Sequence, residues 1–185
     1  MKSVVLLSVA IFLMLLTSLP SVADQRDARL DDLFAKLQKP SENIPSRLVE
    51  AQIWGIWLES ESDTINLLME QGIAAMSNGD HATAYDAFSS ITDLAPEFSE
   101  GWNKRATVLY LLGQYRQSAA DCARVLELEP RHFGALSGLG LIFTALQEPQ
   151  KALDAFERVL EVYPTNRYAK ARAKALRKQL KGEKI

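Results

Sequence analysis

Cysteine occurs once, at Cys122, so no internal disulfide can form even in an oxidising compartment. Histidine is almost as scarce. His81 and His132 are near helix starts in different parts of the chain, and neither has a second ligand at helical spacing. A clustered metal site or a histidine-based catalytic pair is therefore not expected. No phosphate loop is present, because Gly138 and Gly140 lie inside a predicted helix with no strand before them. Together these absences speak against an enzyme and imply no cofactor. The apolar content is ordinary and the formal net charge is −2, which suits one compact domain and gives no sign of disorder.

The longest apolar run lies at the start. Met1 and Lys2 precede Val4 to Leu19, followed by Pro20 and then Ser21-Val22-Ala23. The run falls short of the roughly twenty apolar residues that a spanning helix prefers. A positive start, a short apolar core and small residues before Asp24 describe residues 1–23 as a secretory signal peptide cleaved after Ala23. The alternative is an uncleaved N-terminal anchor, and membrane contact is expected only in that case. No cysteine stands at the cleavage point to carry a lipid.

What the chain has in place of catalytic motifs is a period. Pro96, Pro130 and Pro164 are thirty-four residues apart. Matching offsets before them hold Leu68 and Gly72, then Trp102 and Ala106, then Leu136 and Gly140. A second set repeats as Ala84, Phe88 and Ile91, then Ser118, Cys122 and Val125, then Ala152, Phe156 and Val159. Self-similarity at this period predicts stacked helix pairs, each unable to bury its apolar face alone. Small residues at Gly72, Ala106 and Gly140 mark where paired helices approach closely, and Trp102, Phe88, Phe143 and Phe156 fill the space around them. Turns fall at Asn78-Gly79-Asp80, Leu112-Gly113-Gln114 and Gln147-Glu148-Pro149, with Asp80 placed to cap the next helix. Cys122 sits at a core-facing repeat position and reads as a small buried hydrophobe.

From Ile65 to Pro164 these residues resemble the tetratricopeptide repeat family. The resemblance is closest in the first helix of the second repeat, at Trp102, Ala106 and Leu109, followed by Gly113 and Tyr115. Ser118, Cys122 and Gln147 depart from the usual alanine, aromatic and glycine. The resemblance implies an all-α, right-handed solenoid with repeats over 65–98, 99–132 and 133–166, and recognition of peptides or proteins on a concave face. It also implies a bacterial envelope protein, located in the periplasm if the source is Gram-negative.

The flanks complete the stack. Leu30, Leu33, Phe34 and Leu37 recur at helical spacing, as do Leu48, Ile53, Trp54, Trp57 and Leu58, so residues 24–64 read as a degenerate helical pair around Pro40 and Pro45. This pair is expected to cap the N-terminal end, with the tryptophans as packing bulk; the alternative makes Trp54 and Trp57 an exposed docking patch. Residues 167–185 read as a basic closing helix, a solvated cap in preference to a contact for anionic lipid or nucleic acid.

By the resemblance, the first helix of each pair lines the trough. The partner-binding candidates are Met69, Ile73 and Met76 in repeat one, Asn103, Lys104, Thr107 and Tyr110 in repeat two, and Leu141 in repeat three. Relatives that grip a C-terminal carboxylate use cations and asparagines where this chain has Met69, Ile73, Lys104, Gly134 and Gly138, so that clamp is absent. Flexible methionines suit an amphipathic helix or extended apolar segment of another protein, with no nucleic acid implied. Two readings follow: an adaptor that holds a partner in its trough, or a subunit that assembles through its outer faces. Whether the chain's own flanks cover the trough stays open at this level.

Overall fold

The computed structural model describes residues 27–39 and 45–182, so the signal-peptide and anchor readings, and Pro40, lie outside the described residues. Nine helices and no strand occur among the described residues: α1 (Ala28–Gln38), α2 (Ser46–Leu58), α3 (Asp63–Ser77), α4 (His81–Leu94), α5 (Ser99–Leu111), α6 (Tyr115–Leu128), α7 (Phe133–Ala145), α8 (Pro149–Val162) and α9 (Arg167–Leu180). Helices α3 to α9 pack in chain order, each against the next, and α5 also meets α7. This is the all-α solenoid that the period predicts.

The turn inside each pair has one geometry. Gly79, Gly113 and Gln147 stand thirty-four residues apart, with φ of 77°, 73° and 59°. The next amide reaches back to close the helix end: Asp80 N to Ala75 O at 2.9 Å, Gln114 N to Leu109 O at 2.8 Å and Glu148 N to Phe143 O at 2.8 Å. Gln147 therefore occupies a left-handed position that favours glycine, at a cost of about 1 kcal/mol. Asp80 caps α4 by accepting from Thr83 N at 3.1 Å. His81 is the first residue of α4 and so lies just past the turn.

Small and large residues alternate by complementation within each pair. A Cβ added at Gly72 would lie 2.5–2.9 Å from the Phe88 ring, and one at Gly140 would lie 2.6–2.8 Å from the Phe156 ring. In the middle repeat the aromatic is replaced by Cys122, and the facing position relaxes from glycine to Ala106 in the same buried cluster. Ser118, another departure, is buried but donates to Ala106 O at 2.7 Å. Burial, then the charge of Asp121, pushes the Cys122 thiol up to about 12, as expected for an inert packed side chain.

The N-terminal pair corrects the expectation of an end cap. Trp57 is fully buried and its ring stacks on His132, with centroids 4.0 Å apart and planes 10° apart, while lying 5.0 Å from the Phe133 ring. Phe34 meets Phe133 at 6.5 Å, and Arg131 lies over Phe34 while pairing with Asp31 at 2.7 Å. Further along, Tyr163 donates to Glu50 at 3.1 Å and Thr165 bonds Ser46 at 3.0 Å. Thus α1 and α2 lie on the second and third repeats. Helical periodicity correctly gave α1 its buried stripe; in α2 it found Ile53 and Trp57 but misplaced Leu48, which is 53% exposed while Val49 and Ile56 are buried, and a stripe does not say which neighbour it meets. Helix α9 closes the other end through Ala169, Ala173 and Leu176, all buried.

Candidate partner-binding trough

Helix α2 crosses the leading ends of the helices that line the trough. At its C-terminal end Leu58 packs beside Ile65 and Met69 at the start of α3. In the middle Trp54 lies under the Lys104 ammonium of α5, 5.6 Å from the ring centre, and against the first turn of α7. At its start Ser46 reaches Thr165, just before α9. Thirteen residues of helix span about 20 Å, enough to bridge the three repeats.

Gly134 makes room for this crossing. A Cβ there would lie 2.6 Å from Trp54 Cη2 and 3.0 Å from His132 Cε1, both in rigid rings. Gly134→Ala is therefore expected to destabilise the protein by about 1–3 kcal/mol despite the better helix propensity of alanine. Urea denaturation checks this, and an unchanged midpoint would mean that Trp54 is not seated in the slot.

Beneath Trp54 and Trp57 lies a closed polar cluster. Glu100 and His132 are both fully buried, with His132 Nε2 3.1 Å from Glu100 Oε2. The backbone N–H of Ala135 donates to His132 Nδ1 at 3.1 Å. The proton of the neutral ring therefore sits on Nε2, where it donates to Glu100. Asn103 Nδ2 lies 3.1 and 3.0 Å from the two carboxylate oxygens, and Lys104 Nζ is 3.0 Å from Oε1. Burial alone would raise the Glu100 pKa, but the hydrogen bond from His132 and the charge of Lys104 outweigh it and hold the carboxyl below its ordinary value. The cluster is thus an ionised carboxylate satisfied on all sides and sealed from solvent. Nothing in the sequence pairs Glu100 with His132, which stands thirty-two residues away and registers in sequence only as a residue near a helix start.

The candidate residues divide between a closed and an open half. Met69 is 4% exposed, within the core of the first repeat, which corrects its assignment; Asn103 is largely buried against Glu100 yet still lines the cavity between α5 and α7. Lys104 is held between Glu100 and Trp54. Ile73 and Thr107 are exposed, and Met76, Tyr110 and Leu141 are half-buried. Between α5 and α7 this half deepens into a cavity of about 80 Å³ lined by Thr107, Tyr110, Cys122, Gly138 and Leu141 among others. That is far below the roughly 300 Å³ at which small-molecule pockets begin. Among the described residues no group of three or more His, Cys, Asp or Glu residues is arranged to hold a metal, and no helix is long and apolar enough to cross a membrane.

Comparison with known proteins places this architecture. A family model described as tetratricopeptide repeat matches residues 103–167. A TPR repeat-containing protein of Rhizobium etli is 36% identical over 169 residues, covering 88% of this chain and 83% of that protein. The first TPR domain of Spaghetti (RPAP3), solved bound to the HSP90 peptide SRMEEVD, superposes with a TM-score of 0.62 at 26% identity. It covers 65% of this chain and 95% of the other. MamA shares the fold at 16% identity, with a TM-score of 0.61 over 72% of this chain and 84% of its own.

Proposed function

This chain belongs to the tetratricopeptide repeat family, and from that premise we propose that it is a non-catalytic adaptor. It receives an apolar, helical segment of another protein on the half of the trough that α2 leaves open. The observation that carries this reading is the division of the trough. The half nearest the helix starts is filled by Trp54, and the other half presents Ile73, Met76, Tyr110 and Leu141 with Thr107 among them. Aromatic and methionine side chains around a shallow groove favour an amphipathic helix.

The nature of the partner differs from that of the HSP90-bound relative, whose peptide ends in acidic residues. Here the trough cation is already neutralised by Glu100 at 3.0 Å, and a second carboxylate would meet that buried negative charge. An acidic C-terminus is disfavoured and an apolar face is favoured. We assign the adaptor to the bacterial envelope on the strength of the leader-like residues 1–23; cell fractionation with a C-terminal tag tests the assignment, and a cytosolic pool would remove it.

A photo-crosslinker at Thr107, in the open half, should trap a discrete partner in the native cells, whereas one at Asp86 on the outer face of α4 should not. Tyr110→Ala and Ile73→Asp should each weaken capture about tenfold, in the range for a central interface residue, without altering the unfolding midpoint by much. Equal adducts from Thr107 and Asp86, or capture unchanged by both substitutions, would refute the groove as the binding face.

A further inference from the structure

The two ends of the solenoid carry opposite charge. Between Arg47 and Lys104 there is no lysine or arginine, and the seven acidic residues within 61–97 are all exposed. Between Glu161 and Glu183 there is no acidic residue, while α9 and its C-cap carry seven lysines and arginines. This asymmetry is spatial as well as sequential, because α3 and α9 are the first and last helices of the stack.

Each end presents its charge as a stripe. On α3 the exposed residues Asp63, Leu67, Glu70 and Ala74 fall at steps of four, three and four, one above another along the helix. On α9 and its C-cap the exposed Arg167, Lys170, Lys174 and Lys181, with the half-buried Lys178 between the last two, do the same, opposite the buried Ala169, Ala173 and Leu176. The α3 stripe is also a helix-packing face. Gly101, one repeat after Leu67, packs so closely on the preceding helix that an added Cβ would lie 2.5 Å from Ile91 Cγ2. Leu67 holds that position in the first repeat, yet α2 has crossed to α5 and α7, and Leu67 is 55% exposed.

We propose that the acidic leading face of α3 docks on the basic face of α9 in a second copy of this chain, head to tail. Asp63 and Glu70 are seven residues apart, as are Arg167 and Lys174, and Lys174 and Lys181, so the charges match at a rise of about 10 Å. Running the stripes parallel pairs Asp63 with Arg167, and running them antiparallel pairs it with Lys181; either way Glu70 meets Lys174. The contact is heterologous, so each added copy leaves one acidic and one basic end free, and growth continues as an open chain. An anionic membrane would also attract α9, but it would leave the α3 stripe and Leu67 unused. The proposal does not depend on what the trough binds.

Light scattering of the full chain at rising concentration tests it. At about 50 mM salt the mean mass should climb past that of a dimer, and at about 500 mM it should fall towards the monomer, since exposed charges are screened within a few ångströms there. Glu70→Lys and Lys174→Glu should each weaken association about tenfold by turning one attraction into repulsion. The double variant Glu70→Lys/Lys174→Glu should restore it. Glu70 is chosen over Asp63 because Asp63 lies in the first turn of α3, where its charge also supports the helix. A mass independent of concentration and salt, association indifferent to both single variants, or failure of the double variant to recover would each overturn the proposal. So would a monomeric chain that binds phosphatidylglycerol vesicles and loses them on Lys174→Glu, which would make α9 a membrane contact.

Discussion

Trp57→Ala is expected to cost about 3–5 kcal/mol, the range for emptying a fully buried large aromatic. The side chain is 0% exposed and lies among Phe34, His132 and Phe133, so its loss opens a cavity where the N-terminal pair meets the second and third repeats. Such a loss is a large part of the roughly 5–15 kcal/mol that holds a domain of this size. Trp57→Phe separates packing from polarity. The Trp57 Nε1 donor is buried with no hydrogen-bond acceptor among the described residues, so phenylalanine removes an unsatisfied group while keeping a ring. We expect Trp57→Phe to cost less than about 1.5 kcal/mol. In the alanine variant the link at Glu59–Ser62 should become open to protease before the repeats unfold. A cost below about 1 kcal/mol for Trp57→Ala would mean that α2 is not docked through this residue.

How far the sequence foretold this arrangement depends on whether a residue's partner recurs. Gly72 and Phe88, Ala106 and Cys122, and Gly140 and Phe156 are pairs at one offset, so the period exposes them together and the helix pairs can be read directly. Gly79, Gly113 and Gln147 likewise share one turn, even though the last is not glycine. Trp54 and Trp57 have no such echo. Their partners, Gly134, His132 and Phe133, are about eighty residues away and lie where the second repeat meets the third. Periodicity gave them burial and left their neighbours unspecified. The same gap explains Met69, which alignment places on the trough face: that face is real, but at its start it is closed by Leu58 of a helix belonging to no repeat.

The second large effect concerns the carboxylate beneath that helix. Glu100→Ala would strand the Lys104 ammonium, the His132 Nε2–H and the Asn103 amide, all within 3.1 Å of its oxygens, and is expected to cost about 3–5 kcal/mol as the breaking of a buried ion pair. Glu100→Gln keeps the shape and most hydrogen bonds, and should cost less, about 1–3 kcal/mol at neutral pH. Its distinguishing mark is in the pH dependence. The folded-state pKa of Glu100 is depressed, because the donated proton of His132 and the charge of Lys104 overcome the burial that would raise it. The unfolded chain therefore takes up a proton first as the pH falls. The stabilisation from this group is complete above the unfolded value of about 4.3 and is lost as the pH drops through the lower folded value. Urea midpoints measured from pH 7 to pH 3 should fall more steeply in the unsubstituted protein than in Glu100→Gln, so that the two curves converge in acid. Parallel curves would show that Glu100 is not ionised in the folded state, and the account of a neutralised trough that excludes acidic partners would fall with it.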